Sequence, residues 1–382
     1  DELTVRGLLR RQGFKSIEVK KKPKDLLEYL PFLQALQGKI KEKSVVVFCR
    51  IFSTMINAGL PLIQCLDLLA QQEQNKAFSK IIRSIKEDIE GGTSLTNALK
   101  KYPQIFDELF VNLIAAGEAG GILDVILERL SNYMEKAMKL KARVKGAMTY
   151  PAAVLVISTA VVALLLIKVI PVFQKMFEGM GGELPALTAA LIKASQFAQS
   201  YWWLIAGIFA AIYIAFKQYY KTEKGRWTVD ALILKAPVFG DLLKKVAVAK
   251  FSRTLSTMMS SGVPILEGLA IVSKTSGNVV IEDALMKTRQ SISEGQSIAE
   301  PLTRTGIFPP MVVQMIAVGE ATGALDSMLA KIANFYDYEV DVAVDAMTAL
   351  LEPFMMVFLG GVVGGMIVAM YLPIFKLASV VG

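Results

Sequence analysis

The chain has 382 residues, of which 53% are hydrophobic and 20% are charged. A soluble chain usually carries about 25% charged residues, so this composition argues against solubility throughout and indicates membrane-spanning segments. The formal net charge of +8 favours anionic lipid or protein partners. The sequence has no histidine, which removes the commonest general base and metal ligand and excludes a conventional Ser–His active site.

The first predicted segment is a basic N-terminal arm over residues 1–46, which contains the run KKKPK. Such an arm favours contact with anionic lipid or with an acidic protein surface. The alternative interpretation is a solvated linker that has no partner.

A helical domain is predicted over residues 47–145. In the stretch VFCRIFSTMINAGLP, apolar residues recur at helical spacing. Gly59 suits the left-handed position after a helix, and Pro61 can open the next helix. We expect about six helices here, packed as an all-α bundle.

The stretch AAGEAGGILD at residues 115–124 is predicted to be a tight turn between two helices of this domain. Gly121 would relieve the backbone, and Asp124 would lie in the first turn of the next helix, where the helix dipole favours a carboxylate. The alternative makes Glu118 a ligand for a cation or for a basic residue of a partner protein.

Three stretches are apolar over about the 20 residues that a bilayer core requires, and each predicts a transmembrane helix. These stretches are residues 146–170, 194–216 and 351–375. Lys and Arg residues precede the first and follow the second, which by the positive-inside rule predicts cytoplasmic helical domains. Residues 171–193 are then a periplasmic linker, and residues 376–382 are a short periplasmic tail. The alternative is three buried helices of a large soluble protein.

A second helical domain is predicted over residues 217–350, because the sequence of the first domain recurs there. FCRIFSTMINAGLPLIQCL at residues 48–66 aligns with FSRTLSTMMSSGVPILEGL at residues 251–269, and AVGEATGALD recurs at residues 317–326. The matched residues include Arg50 and Arg253, Gly59 and Gly262, Pro61 and Pro264, Gly117 and Gly319, Glu118 and Glu320, Gly121 and Gly323, and Pro151 and Pro353. The chain is therefore a duplicated unit of a helical domain and a membrane helix, with residues 194–216 as the return helix.

An acidic stripe precedes the third predicted span, because Asp337, Asp341 and Asp345 recur at helical spacing. The equivalent positions of the first repeat are Glu135, Lys139 and Arg143. These faces carry mostly opposite charge, and we predict that the two juxtamembrane helices pair, within the chain or between subunits. The alternative is two independently solvated faces.

The third predicted span contains LGGVVGG, in which Gly360 and Gly364 form a small-xxx-small pair. Such a pair allows two helix backbones to approach closely in lipid. The glycines would pack on the other spans of this chain, or they would form a face for self-association or for another membrane helix.

Three features of the sequence occur together: the paired Gly-x-Pro and Gly-Glu-Ala motifs, the three predicted spans, and the stretch KARVKGAMTYPAAVLVISTAVVALLLIKVIPVF, in which Tyr150 precedes Pro151. In these features the chain resembles the inner-membrane platform proteins of type II secretion and type IV pilus systems. The resemblance extends from about residue 44 to the end of the chain. The stretches PVFQKMFEGMGGELPALT and MYLPIFKLASVVG are more similar to the type IV pilus members.

The resemblance implies a non-enzymatic protein of the bacterial inner membrane that couples a cytoplasmic hexameric ATPase to pilin insertion or extraction. The implied partners are that ATPase, pilins, other inner-membrane pilus components, further copies of the chain and membrane lipid, without nucleic acid. No catalytic residue, cofactor or metal site is predicted, and no GxxxxGK[ST] loop for a nucleotide occurs in the sequence. The alternatives are a type II secretion platform or a small repeat-built transporter.

Overall fold

The computed structural model describes residues 40–178 and 185–381, and within these ranges the protein is helical and contains no strand. The predicted class, an all-α membrane protein, is confirmed. Of the basic arm predicted over residues 1–46, residues 1–39 lie outside the described residues. The chain divides after Ala98 into two compact units.

The helices of the first repeat end in a long helix that leads toward the first apolar segment. They are α1 Glu42–Asn57, α2 Leu62–Gln72, α3 Lys76–Glu90, α4 Leu95–Lys100, α5 Glu108–Gly120 and α6 Leu123–Ala147. The first and third of these helices bury aromatic side chains together, and the rings of Phe48 and Phe78 lie 5.4 Å apart. The turn between α1 and α2 has the expected geometry, since Gly59 has φ 82° and Pro61 directly precedes α2.

The middle of the chain is helical as well. It contains α7 Thr149–Leu164, a π-helical segment Leu165–Val169, α8 Ile170–Glu178, α9 Ala186–Lys221 and α10 Glu223–Lys235. The residues expected to form a linker, 171–193, therefore belong to α8 and to the start of α9 wherever the structure describes them. Within this stretch Ile192 is buried, and it forms an apolar cluster with Ile170, Met366 and Met370.

The second repeat matches the first helix by helix over the described residues. It consists of α11 Phe239–Ser260, α12 Ile265–Thr275, α13 Val279–Ser293, α14 Ala299–Arg304, α15 Pro310–Thr322 and α16 Leu325–Val381. Its first turn repeats the geometry of the first copy, with φ 81° at Gly262 and Pro264 directly before α12. Each repeat thus has six helices, which agrees with the number expected from the sequence.

Two continuous helices of the described chain are long and apolar enough to cross a membrane, Leu123–Met176 and Leu325–Pro373. An 18-residue window within each has a mean hydropathy of 2.8 and 2.1, respectively, and large apolar side chains such as Val156 and Val357 are exposed along them. The second predicted span instead lies in a bent pair, Ala186–Leu204 and Ala206–Lys221, with 52° between its halves. The number of three spans therefore stays a prediction, which holds only if the bent pair crosses the membrane once.

The bend in α9 has a non-helical residue, Tyr201, at φ −118° and ψ 18°. The half before it is held by side-chain hydrogen bonds to its neighbours. The Thr188 hydroxyl donates to the carbonyl of Ala369 in α16, and the Ser195 hydroxyl donates to the carbonyl of Leu166 in the π-helical segment. In a low-dielectric environment such bonds hold helices together, so the start of α9 packs against two other apolar helices.

Candidate interaction surface on the juxtamembrane helices

The two juxtamembrane helices, α6 and α16, meet on α11 through a buried apolar cluster. Val340, Val344 and Met347 of α16 are spaced at helical intervals and are almost completely buried. Leu140 and Val144 of α6 pack against this cluster. The apolar stripes of equivalent helices in the two repeats thus bring α6 and α16 side by side.

Ion pairs border this cluster where Arg143 of α6 faces the acidic stripe. Arg143 Nε lies 3.4 Å from an oxygen of Asp341, and Arg143 Nη2 lies 2.7 and 3.0 Å from the two oxygens of Asp345. The side chains are exposed by 48%, 52% and 66%, respectively. Exposed pairs contribute only about 0.2–1 kcal/mol each, so this contact sets helix register more than it adds stability.

Lys139, the other basic residue predicted to face the stripe, is exposed and forms no ion pair within the described residues. One turn earlier, Lys136 Nζ donates to the side-chain oxygen of Asn334, 3.1 Å away. Lys136 and Arg143 of α6 therefore form polar contacts with α16, whereas no such pairing of Lys139 occurs among the described residues.

The third member of the stripe, Asp337, has a different partner. Its carboxylate accepts a hydrogen bond from Nη2 of Arg253 in α11. The side chain of Arg253 is only 7% exposed and that of Asp337 is 31% exposed. Burial lowers the pKa of the Arg253 guanidinium, partly opposed by Tyr133, yet arginine stays protonated at any physiological pH.

Sequence reasoning aligned Arg253 with Arg50 but gave neither residue a role. The signal that could have identified Arg253 was an arginine between apolar residues of a helix expected to be buried. A buried charge requires a partner, and a carboxylate of the acidic stripe was the obvious candidate.

The repeated Gly-Glu motif forms the turn between two closely packed helices in both repeats. A Cβ added at Gly117 would lie 3.0 Å from Ile126, and one added at Gly319 would lie 2.9 Å from the Cα of Leu325. Gly121 and Gly323 follow in the left-handed region, at φ 65° and 72°. Gly117 and Gly319 are therefore glycines because a side chain would clash with the next helix, whereas the residues four positions later are glycines because of their left-handed backbone.

Glu320 has a contact within the chain. Both of its carboxylate oxygens accept the backbone N–H of Ile298, at 2.9 and 3.1 Å, directly before α14. Glu118 is exposed at the end of α5. The described residues contain no group of three or more Cys, Asp or Glu side chains placed to hold a metal ion.

The remaining predicted residues lie in the apolar segments. No described atom of the chain lies within 4 Å of a Cβ added at Gly360 or Gly364, apart from their own helix and chain neighbours. The described spans of this chain therefore do not pack closely on these glycines. Tyr150 is exposed and Pro151 is buried at the start of α7, whereas Pro353 lies inside α16.

Two repeats of six helices, each leading into an apolar helix, define the chain as an all-helical integral membrane protein built by duplication. The chain belongs to the family described as Type II secretion system (T2SS), protein F, whose model matches residues 48–171 and again residues 251–373. The two matches coincide with the two repeats.

Several relatives resemble the chain over nearly its whole length. It is 51% identical over 381 residues to Type IV pilus assembly protein PilC of Myxococcus xanthus, covering 100% of this chain and 91% of that protein. It is 44% identical to the protein of the same name from Pseudomonas aeruginosa, covering 100% of both. It is 32% identical to Type II secretion system protein F of Vibrio cholerae, covering 90% of this chain and 84% of that protein.

Proposed function

We propose that the chain is the inner-membrane platform of a type IV pilus machine, which lacks enzymatic activity and couples a cytoplasmic hexameric ATPase to pilin insertion or extraction. The identities support the pilus over the secretion machine, since relatives named for pilus assembly reach 51% and 44% and the secretion protein reaches 32%.

The observation that carries this proposal is the continuity of α16. This single helix of 57 residues begins in the second repeat and continues through the third apolar stretch. At 1.5 Å per residue it is ~85 Å long, more than twice the thickness of a bilayer core. Displacement of its first turns by a motor would move its membrane segment as well, because no loop interrupts it.

The contact between α6 and α16 couples the two repeats. The apolar cluster around Val344 and the pairs of Arg143 with Asp341 and Asp345 hold α16 against α6, which leads into the continuous segment Leu123–Met176. A force on one helical domain therefore acts on both apolar helices. In this proposal both domains are cytoplasmic, and pilins or further copies of the chain contact the uncovered face of Gly360 and Gly364.

A charge swap tests the coupling. We expect the variant Arg143→Glu to lose pilus assembly and co-purification of the hexameric ATPase from native membranes. Adding Asp341→Lys and Asp345→Lys should restore both, because the ion pairs then reform with opposite polarity. The matched control is Lys287→Glu, which breaks an exposed pair with Asp283 on α13 away from this contact. Failure of the rescue would contradict the coupling role.

The topology and the alternative function have separate tests. Reporter fusions near Glu90 and near Val280 should both report the cytoplasm, and opposite locations would contradict the duplicated arrangement.

Reconstitution in liposomes separates a platform from a small transporter, because the platform should catalyse no solute flux and should instead retain ATPase and pilin-like peptides.

A further inference from the structure

A small cavity of about 200 Å³ lies between α6, α11 and α16, on the side of the ion pairs that is farther from the apolar stretches. Three cationic side chains line it, Arg129, Lys136 and Arg253. Its other lining residues are neutral, and among the described residues no Asp or Glu lines it. The cavity is therefore positively charged and receives side chains from both repeats.

The side chain of Arg253 is more than nine-tenths buried and meets Asp337 through Nη2 alone, and among the described residues neither Arg253 Nε nor the second carboxylate oxygen of Asp337, Oδ1, has a hydrogen-bond partner. An unsatisfied buried donor costs free energy, and buried polar groups in native proteins almost always have a partner. Because Arg253 lines the cavity, an anion placed there would lie beside a buried cation whose hydrogen-bonding capacity Asp337 does not use in full.

The other two cations also retain hydrogen-bonding capacity. Arg129 donates to the carbonyl of Ser260, which uses one of the five N–H donors of its guanidinium. Lys136 donates to the side chain of Asn334, which uses one of the three donors of its ammonium group. Neither forms an ion pair within the described residues. Arg253 is compensated by Asp337, which does not line the cavity, so Arg129 and Lys136 leave an uncompensated positive charge.

The size of the cavity selects the class of ligand. Sites for drug-sized molecules have volumes of about 300–1,000 Å³, so this cavity fits a compact anion better than a nucleotide base and sugar. Arginine and lysine donors that converge from several directions suit tetrahedral oxygens. We propose that the cavity binds a phosphate group, which joins α6 of the first repeat to α11 and α16 of the second.

Two sources can supply this phosphate group, and the experiment separates them. In the first arm, radiolabelled inorganic phosphate is equilibrated with the detergent-solubilised full chain at constant ionic strength. In the second arm, the chain is placed in nanodiscs of phosphatidylcholine with or without phosphatidylglycerol, and retained phosphatidylglycerol is counted by native mass spectrometry. Arg129→Gln and Lys136→Gln are the test variants, because neither leaves a buried carboxylate without a partner.

The matched control is Lys331→Gln, an exposed lysine of α16 that does not line the cavity. Binding of one phosphate, about tenfold weaker in each test variant and unchanged in the control, supports the proposal with free phosphate as ligand. Retention of phosphatidylglycerol that both test variants lose supports it with a lipid headgroup as ligand. Absence of binding in both arms, or binding that Arg129→Gln and Lys136→Gln leave unchanged, overturns it.

Discussion

Helix α16 carries one acidic stripe, yet its members lie in two different environments. Asp337 contacts Arg253, which is buried and belongs to the same repeat. Asp341 and Asp345 contact Arg143, which is half exposed and belongs to the other repeat. Removing one partner of a buried pair leaves an uncompensated charge, whereas water replaces a lost partner at the surface. The buried pair is therefore structural, whereas the exposed pairs can break at a small cost in free energy.

The largest effect is expected at the buried pair. Arg253→Met should destabilise the protein by about 3–5 kcal/mol, because it leaves the Asp337 carboxylate partly buried without its cation. The measurement is denaturant unfolding of the full chain in detergent. Combining Arg253→Met with Asp337→Leu should recover most of the loss, since no charge then remains. If the single variant were as stable as the native protein, the distinction between the two environments would be wrong.

A second effect distinguishes the covered start of α16 from its uncovered apolar stretch. Gly319→Ala should cost about 1–3 kcal/mol, because the new methyl group would meet the Cα of Leu325 at 2.9 Å. Gly360→Ala should change the free energy of unfolding by less than about 0.5 kcal/mol, since no neighbour lies within 4 Å. Unfolding of both variants in detergent checks this, and equal costs would contradict the assigned packing.

The exposed pairs should have a smaller effect. Arg143→Gln should lower the free energy of unfolding by about 0.2–1 kcal/mol, and the difference should shrink as salt is raised. Unfolding at low and high ionic strength measures both quantities. A loss as large as that of Arg253→Met, or a loss independent of salt, would show that Arg143 is desolvated in the native protein.

An effect of similar size is expected between the apolar helices. Thr188→Val removes the hydroxyl that donates to the carbonyl of Ala369 and keeps the side-chain volume nearly constant. Hydrogen bonds between membrane helices contribute about 0.6 kcal/mol on average, so the expected loss is of that size. Thermal unfolding in detergent, with Thr159→Val as a control whose hydroxyl bonds only within α7, measures the difference. Equal losses in the two variants would contradict a contact between helices.

The sequence by itself determined the class of fold, the duplication and the positions of the apolar segments. These follow from local properties that do not depend on how the helices pack: helical periodicity, the Gly-x-Pro turns at Gly59 and Gly262, and the length of the uncharged stretches. Local sterics also dictate the glycines at residues 117 and 319, although only the packed helices revealed which atoms they admit.

The tertiary structure alone decided which partners the charged groups have. Nothing in the spacing of the stripe distinguishes Asp337 from Asp341, yet one faces α11 and the other faces α6. The packing of the start of α9 and the cationic cavity likewise arise between elements that are distant in the chain. Such features depend on how helices rotate and cross when they pack, which the period of one helix does not specify.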